Sequence, residues 1–388
     1  MADKNAKNGP IVIVMPLAEQ RGGAELALLQ LIRAGGDCKW HVVFLEDGPM
    51  VCQVRDAGSA ASVVPAGRLR QPHKMVSAVM RIARIVRDSH SPAVLSWMTK
   101  GHLYGSPAAT MAGVPCTWFQ HALPSQLMDG IAARIPSVGA MACSQFIADS
   151  LKIAMPKVQV KVVYPGIDPA RSNPAGLPSM QDCRRKLNLP IDQPVIGIFG
   201  RLQKWKGVHV LIGALPTVLK RYPTTQTVIV GGAWRDELEY ERELKQQAGS
   251  LGIAERIIFA GHQDNAPEWM QACDVIVHAS RQEPFGMVVV EAMALGKPIV
   301  AGAEGGPREI ITDGVNGLLA PFGDSATLAA GIIRYLDDPA FAASVGHAAS
   351  ERAKDFTLDR FAAGVCDAIQ GWLEPKSTVR PAECVQAH

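Results

Sequence analysis

The chain has no Asp-x-Asp pair, no Gly-x-Gly-x-x-Gly run and no Gly-x-x-x-x-Gly-Lys-Ser/Thr loop. The first absence removes the usual acidic clamp for a divalent cation, so no metal site is expected. The other two remove the backbone signatures of a nicotinamide dinucleotide and of ATP. Eight cysteines (Cys38, Cys52, Cys116, Cys143, Cys183, Cys273, Cys366 and Cys384) are scattered without a Cys-x-x-Cys pair. That distribution predicts reduced structural thiols in a cytosolic protein, with neither a zinc site nor a disulfide framework. No block concentrates Lys and Arg, and 39 basic against 36 acidic residues leave a net charge of only +3. This balance is too mild for a nucleic-acid partner, while peripheral contact with an anionic membrane surface stays open. The polar first ten residues predict no signal peptide. Residues 101–128 lack Asp, Glu, Lys and Arg, yet Pro107, Pro115 and Pro124 interrupt them, which rules out a simple membrane span. They read as core with some contact to a groove.

What is present is an α/β pattern. With 388 residues, 48% of them hydrophobic, the chain can fill two separate cores. Strand-like apolar runs alternate with helical patterns from residue 11 onward, the signature of parallel sheets wrapped by helices. Strands are expected at 11–15, 41–45, 62–64, 93–96, 116–119, 138–142 and 160–163, with helices at 23–33, 74–88, 103–112 and 145–153. Pro165, Pro169, Pro174, Pro178 and Pro190 then crowd one stretch, which reads as an interdomain linker around a short helix near Cys183. After it the alternation restarts, with strands at 195–199, 227–230, 257–260, 274–278, 298–301 and 317–320 and three helices between 325 and 371. The expected organisation is a disordered 1–9, a first Rossmann-like domain over 10–164, a linker over 165–194 and a second Rossmann-like domain over 195–355. A helix over 356–373 returns toward the first domain, and a disordered tail follows over 374–388.

Four constellations carry chemistry. Glu283 lies in the loop after the apolar strand 274–278, and Glu291 follows on the second turn of a helix opening near Gly286. Free N–H groups and the positive end of that helix form an anion site between the two carboxylates. On one continuous helix the two would stand about 12 Å apart, a span that suits a sugar, a diphosphate and a ribose. Arg201 and Lys206 follow the first strand of the second half, where a doubly wound sheet binds its ligands, and together can grip a diphosphate. Gly22 and Gly23 follow the first strand of the chain and let backbone approach a bulky ligand. His121 ends another strand of the same half and points toward the same cleft. Taken alone, each has a plain structural reading: a helix-capping Glu283 and a solvating Glu291, a solvated basic loop, turn glycines, a hydrogen-bonding histidine.

Together, Gly22-Gly23-Ala24-Glu25, His121, Arg201 with Lys206, Gly231-Gly232, Gly261-His262, the spaced Glu283 and Glu291, and Gly305-Gly306-Pro307-Arg308-Glu309 resemble the retaining glycosyltransferases of family four. The likeness covers nearly the whole chain and is stronger in its second half. It implies the GT-B fold, two Rossmann-like doubly wound parallel-sheet domains facing a central cleft. It implies transfer of a sugar from a UDP- or GDP-sugar to a hydroxyl acceptor with retention, in glycan, glycolipid or glycosylated-metabolite biosynthesis, with no metal required. By the same resemblance Arg201 and Lys206 bind the diphosphate with backbone N–H groups of Phe285, Gly286 and Met287. Glu283 holds donor-sugar hydroxyls, and Glu291 holds the ribose. Gly22 and Gly23 close over the phosphates, His121 lies near the transferred sugar, and Gly261 and His262 line the base pocket. One departure stands at the hinge, where Tyr164-Pro165-Gly166 replaces the common Pro-Asn-Gly. Rival readings on this fold are a sugar epimerase or phosphorylase, and a catalytically silent nucleotide-sugar-binding protein.

Overall fold

The computed structural model describes residues 9–20, 22–67, 71–124, 128–233 and 237–374. The expected disordered ends fall almost wholly outside these residues, as does Arg21. The first half forms a seven-stranded sheet: β1 (Ile11–Met15), β2 (Trp40–Phe44), β3 (Ala60–Val63), β4 (Val94–Trp97), β5 (Cys116–Gln120), β6 (Gly139–Ala142) and β7 (Val160–Val162), in the order β3-β2-β1-β4-β5-β6-β7. The second half forms a six-stranded sheet: β8 (Val195–Phe199), β9 (Gln226–Val230), β10 (Ile257–Gly261), β11 (Val275–His278), β12 (Ile299–Gly302) and β13 (Leu318–Ala320), in the order β10-β9-β8-β11-β12-β13. Every strand pairing is parallel, so helices must cover both faces; the central strands β1, β4, β8 and β11 are buried along their whole length, while the edge strands β3 and β7 are not. In each sheet the order reverses once, between β1 and β4 and between β8 and β11.

Short helices Met128–Ala132 and Pro169–Ser172 were not expected, and two longer helices also differ from the sequence expectation. Helix Met98–Ala112 opens five residues earlier than its apolar pattern indicates. Gly101 and Gly105 look like breakers, but a Cβ on Gly101 would stand 2.5 Å from the Val14 carbonyl of β1. Glycine there serves close helix-to-sheet packing. Helix Pro49–Asp56, with proline in its first turn, has too few apolar positions to announce itself. The charge-poor stretch is core, since Leu103, Tyr104, Trp118 and Phe119 are buried.

The last helix, Leu358–Leu373, packs against β6 and helix Gly23–Ala34 of the first half. Phe361 meets Phe119 at 6.1 Å between ring centroids, and Trp372 covers Gly139 so closely that a Cβ there would lie 2.1 Å from its indole. The expectation of wholly reduced thiols is corrected here. Cys38 and Cys366 form a disulfide that ties this helix to the first half, across 328 residues of sequence. Their spacing in the chain carries no sign of the pairing, which only the returning helix creates.

Candidate active site

Ligands of doubly wound sheets sit beyond the carboxyl ends of the strands where the order reverses. In the second sheet that position is bounded by the loops after β8 and β11. The first carries Gly200, Arg201 and the turn Lys204–Lys206, and the second runs from Ala279 through Phe285. They converge on one pair: Lys206 Nζ lies 2.6 Å from Glu283 Oε2. His278, the last residue of β11, places Nε2 3.1 Å from the same oxygen and 3.2 Å from Ser280 Oγ. Lys206 also stands over the Trp205 ring at 4.0 Å. Burial pushes the Glu283 carboxyl upward, but the Lys206 ammonium and the His278 hydrogen bond outweigh it and hold the group well below the ordinary carboxylate range. Glu283 is therefore an ionised acceptor at neutral pH. Phe199, Gly200, Arg201, Lys206, His278 and Ser280 line a recess beside it.

The backbone around Glu283 is over-determined. Gln282 holds φ +50° and Gly286 φ +110°, the former uncommon outside glycine. Glu283 pairs with Gly305 in an isolated bridge, and Gly306 N–H donates to the Glu283 carbonyl at 2.8 Å. A Cβ on Gly305 or Gly306 would stand 2.2 Å from the carbonyl oxygen of Glu283 or Phe285 respectively, so the loop after β12 can seat itself only as glycine. Helix Met287–Ala294 then opens with Gly286 as its cap. Glu283 precedes that helix, so the straight-helix spacing of the two glutamates does not apply. Glu291 lies on its second turn and is half-buried.

The first sheet supplies the opposite wall. Gly22 caps helix Gly23–Ala34, and a Cβ on it would come 3.9 Å from Arg201 Nη2; one on Gly23 would come 3.4 Å from Met287 Cγ. The glycine turn thus faces the basic loop and the Met287 helix across the cleft. At the reversal point of this sheet, Trp97 ends β4 and Met98 follows with φ +61°. The Trp97 Nε1–H donates to the Ala24 carbonyl at 3.0 Å, fixing the first turn of the helix after Gly22 and Gly23. The same indole stacks on His121 at 4.6 Å, and Phe119 lies 4.1 Å from that imidazole. His121 is buried, its Nε2 has no partner among the described residues, and burial lowers its pKa to about 3. It is a neutral imidazole in a dry aromatic slot.

The loops after β8, β9 and β10 run side by side. Gly200 N–H donates to Val230 O at 2.9 Å and Gly231 N–H to Gly261 O at 2.8 Å. Gly261, at φ +68°, is thereby tied to the basic loop, whereas the His262 side chain is exposed and lies 3.4 Å from Asp264. Phe285 turns its ring away from the recess into contact with Tyr164 and Phe356. His278, Ser280 and Trp97 were not singled out by motif. For His278 and Trp97 the available signal was position, a polar or aromatic residue closing an apolar strand at a sheet's reversal point.

Comparison with known proteins places these features in context. Residues 179–352 match the family model of glycosyl transferases group 1. The lipopolysaccharide core biosynthesis mannosyltransferase LpsB of Rhizobium meliloti is 30% identical over 207 residues, 53% of this chain and 58% of LpsB. A D-inositol 3-phosphate glycosyltransferase of Corynebacterium urealyticum is 36% identical over 188 residues, 47% of this chain and 44% of that protein. The chain thus spans about half the length of the curated relatives it matches. Among solved structures, Anabaena Alr3699/HepE in complex with UDP and glucose superposes with a TM-score of 0.83 at 27% identity, over 94% of this chain and all of that one. HepE has also been solved with UDP-glucose.

Proposed function

We propose that this chain, whose residues 179–352 form a group 1 glycosyltransferase domain within a GT-B fold, moves a sugar from a nucleotide diphosphate sugar to a hydroxyl acceptor with retention at the anomeric carbon. The observation that carries the reading is the Lys206, Glu283 and His278 cluster beside Arg201, facing the Gly22–Gly23 turn across the cleft. The chemical problem is to part an oxocarbenium-like sugar from a diphosphate while keeping water out. In this reading Arg201 and Lys206 meet the charge that builds on the leaving diphosphate, with the N–H groups of Phe285, Gly286 and Met287 at the helix tip beside them. Lys206 exchanges part of its contact with Glu283 for phosphate oxygens, which frees the ionised Glu283 to accept from donor-sugar hydroxyls. Glu291 takes the ribose, and Gly261 with His262 flanks the base. Gly22 and Gly23 allow the first domain's backbone to close on the phosphates, and the neutral His121 lies beside the transferred sugar. The leaving phosphate takes the acceptor proton on the same face, so no protein base and no metal is needed.

The likeness to HepE supports UDP as the nucleotide over GDP. The glycosyltransferase relatives support a role in glycan or glycosylated-metabolite biosynthesis. Among the described residues no helix is long and apolar enough to cross a membrane. Peripheral membrane contact is supported by helix Pro72–Asp88, which exposes Lys74, Arg81, Arg84 and Arg87 together with Val76 and Met80. The test is to incubate the purified chain with UDP- and GDP-sugars and mixed hydroxyl acceptors. UDP release that depends on acceptor, with a product of unchanged anomeric configuration by NMR, is expected. Donor binding without turnover on any acceptor and without slow donor hydrolysis would replace this reading with a silent nucleotide-sugar binder.

A further inference from the structure

Glu309, in the short helix Pro307–Ile310 of the second half, sends its carboxylate into the first half. Its Oε2 accepts from Gln145 N–H at 2.8 Å and its Oε1 from Phe146 N–H at 2.7 Å. These are the opening amides of helix Gln145–Ala154, which its own Ser144 already caps at Ile147. The Tyr164 hydroxyl, at the start of the linker, donates to Glu309 Oε2 at 3.1 Å. One carboxylate therefore joins a helix of the first half, the linker and the second half. The Tyr164 ring meets Phe285 at 5.9 Å and Phe356 at 5.6 Å, and Phe285 meets Phe356 at 5.7 Å. Arg352 anchors the same unit by donating to the Glu309 carbonyl at 3.0 Å and lying over the Phe356 ring.

The other end of this stretch is the glycine pair that clasps Glu283. Gly305 and Gly306 touch the backbone of Glu283 and Phe285, and four residues later Glu309 grips the first half. A change in the angle between halves must pull on Glu309, and through Gly305 and Gly306 it must reach the loop carrying Glu283. Tyr164 adds a second route through Phe285.

We propose that Glu309 and Tyr164 are positioning residues that set the orientation of the two halves and transmit it to the Glu283 loop. Its kinetic consequence rests on the glycosyl-transfer reading; the mechanical coupling does not. A residue that only stabilised its own helix cap would leave the distant loop untouched.

Tyr164→Phe, which keeps the ring and removes one hydroxyl, and Glu309→Gln are compared with wild type by hydrogen exchange with mass spectrometry, with and without UDP, and by small-angle scattering. Both variants are expected to lose amide protection at residues 145–146 and also over 283–290 and at Gly306, and to sample a wider range of interdomain distances. With a turned-over UDP-sugar, kcat falls about tenfold in Glu309→Gln and about threefold in Tyr164→Phe, the size of a lost charged or single hydrogen bond, while UDP affinity holds. Loss of protection confined to residues 145–146, with the 283–290 segment and kcat unchanged, overturns the proposal and leaves Glu309 a local cap. If Glu309→Gln fails to fold, Tyr164→Phe decides alone. If wild type turns over no donor, the glycosyl-transfer reading fails and the exchange arm still judges the coupling.

Discussion

The two sheets present opposite chemistry to the cleft at equivalent points. Where β8 and β11 part, Lys206, Glu283 and His278 meet within hydrogen-bonding distance, and a buried carboxylate is kept ionised by a cation. Where β1 and β4 part, Trp97, Phe119 and His121 form an aromatic slot in which burial keeps the histidine neutral. Under the proposed function the difference is a division of labour: one wall would hold the charged part of the donor, the other would exclude water around it. It also matches where similarity to known proteins is found, since the family model lies in the second half. Ionic grips require particular side chains at particular spacings and so register as motifs, whereas a dry slot can be built from many apolar combinations.

The charged wall is the place to expect the largest losses. Glu283→Ala removes the ionised acceptor and leaves Lys206 without its partner; turnover measured by UDP release is expected to fall about 100- to 1,000-fold, the cost of removing one preorganised polar contact. Thermal unfolding should move far less, and unchanged turnover would take Glu283 out of the site. Lys206→Ala is expected to cost about 100-fold and to add a pH signature. Without the ammonium, the upward push of burial on Glu283 dominates and its carboxyl rises. Activity of this variant should therefore decline as pH falls through the raised value, in a range where wild type stays level. Parallel pH profiles of kcat/KM from pH 4 to 8 would show that the pair does not set the ionisation of Glu283.

Much of this wall was legible before any coordinates. The strand 195–199 followed by Arg201 and Lys206, and the loop carrying Glu283 before a glycine-opened helix, follow from apolar runs and breakers. The structure returns all thirteen strands within two residues of expectation. What could not be read depends on folding distant segments together. Glu309 meets Gln145 across 164 residues, and Cys38 meets Cys366 across 328. No local period encodes either contact. The early start of helix Met98–Ala112 was hidden because Gly101 and Gly105 serve packing against β1 and β4 rather than a turn. His278 was within reach, as a polar residue closing an apolar strand five positions before Glu283.

The dry wall has a thermodynamic mark of its own. The folded-state pKa of His121 lies near 3, below the ordinary 6.5. As pH falls below 6.5 the unfolded imidazole takes a proton that the folded one refuses, so stability drops with pH until about 3 is reached. Between pH 7 and 5 this group alone should remove roughly 2 kcal/mol. Chemical denaturation of wild type and His121→Phe at both pH values isolates the contribution, because the phenyl ring keeps the stack without titrating. An equal acid loss in both proteins would mean that His121 reaches water.

Trp97 links the aromatic slot to the glycine turn of the same wall, and its conservative replacement should have the smallest and most selective effect. Trp97→Phe keeps an aromatic ring against His121 and Phe119 but deletes the Nε1–H bond to the Ala24 carbonyl. One lost neutral hydrogen bond costs about 1 kcal/mol of stability. The carbonyl that loses this second donor belongs to the turn that follows Gly22 and Gly23, so the cost should fall on the glycine turn and appear as a several-fold rise in donor KM with kcat little changed. Trp97→Ala removes the stack as well and should lower kcat along with stability, by about 3–5 kcal/mol for a buried aromatic. A Trp97→Phe variant whose kcat falls while donor KM holds would place the indole's influence on His121 instead, through the ring stack rather than through the helix start.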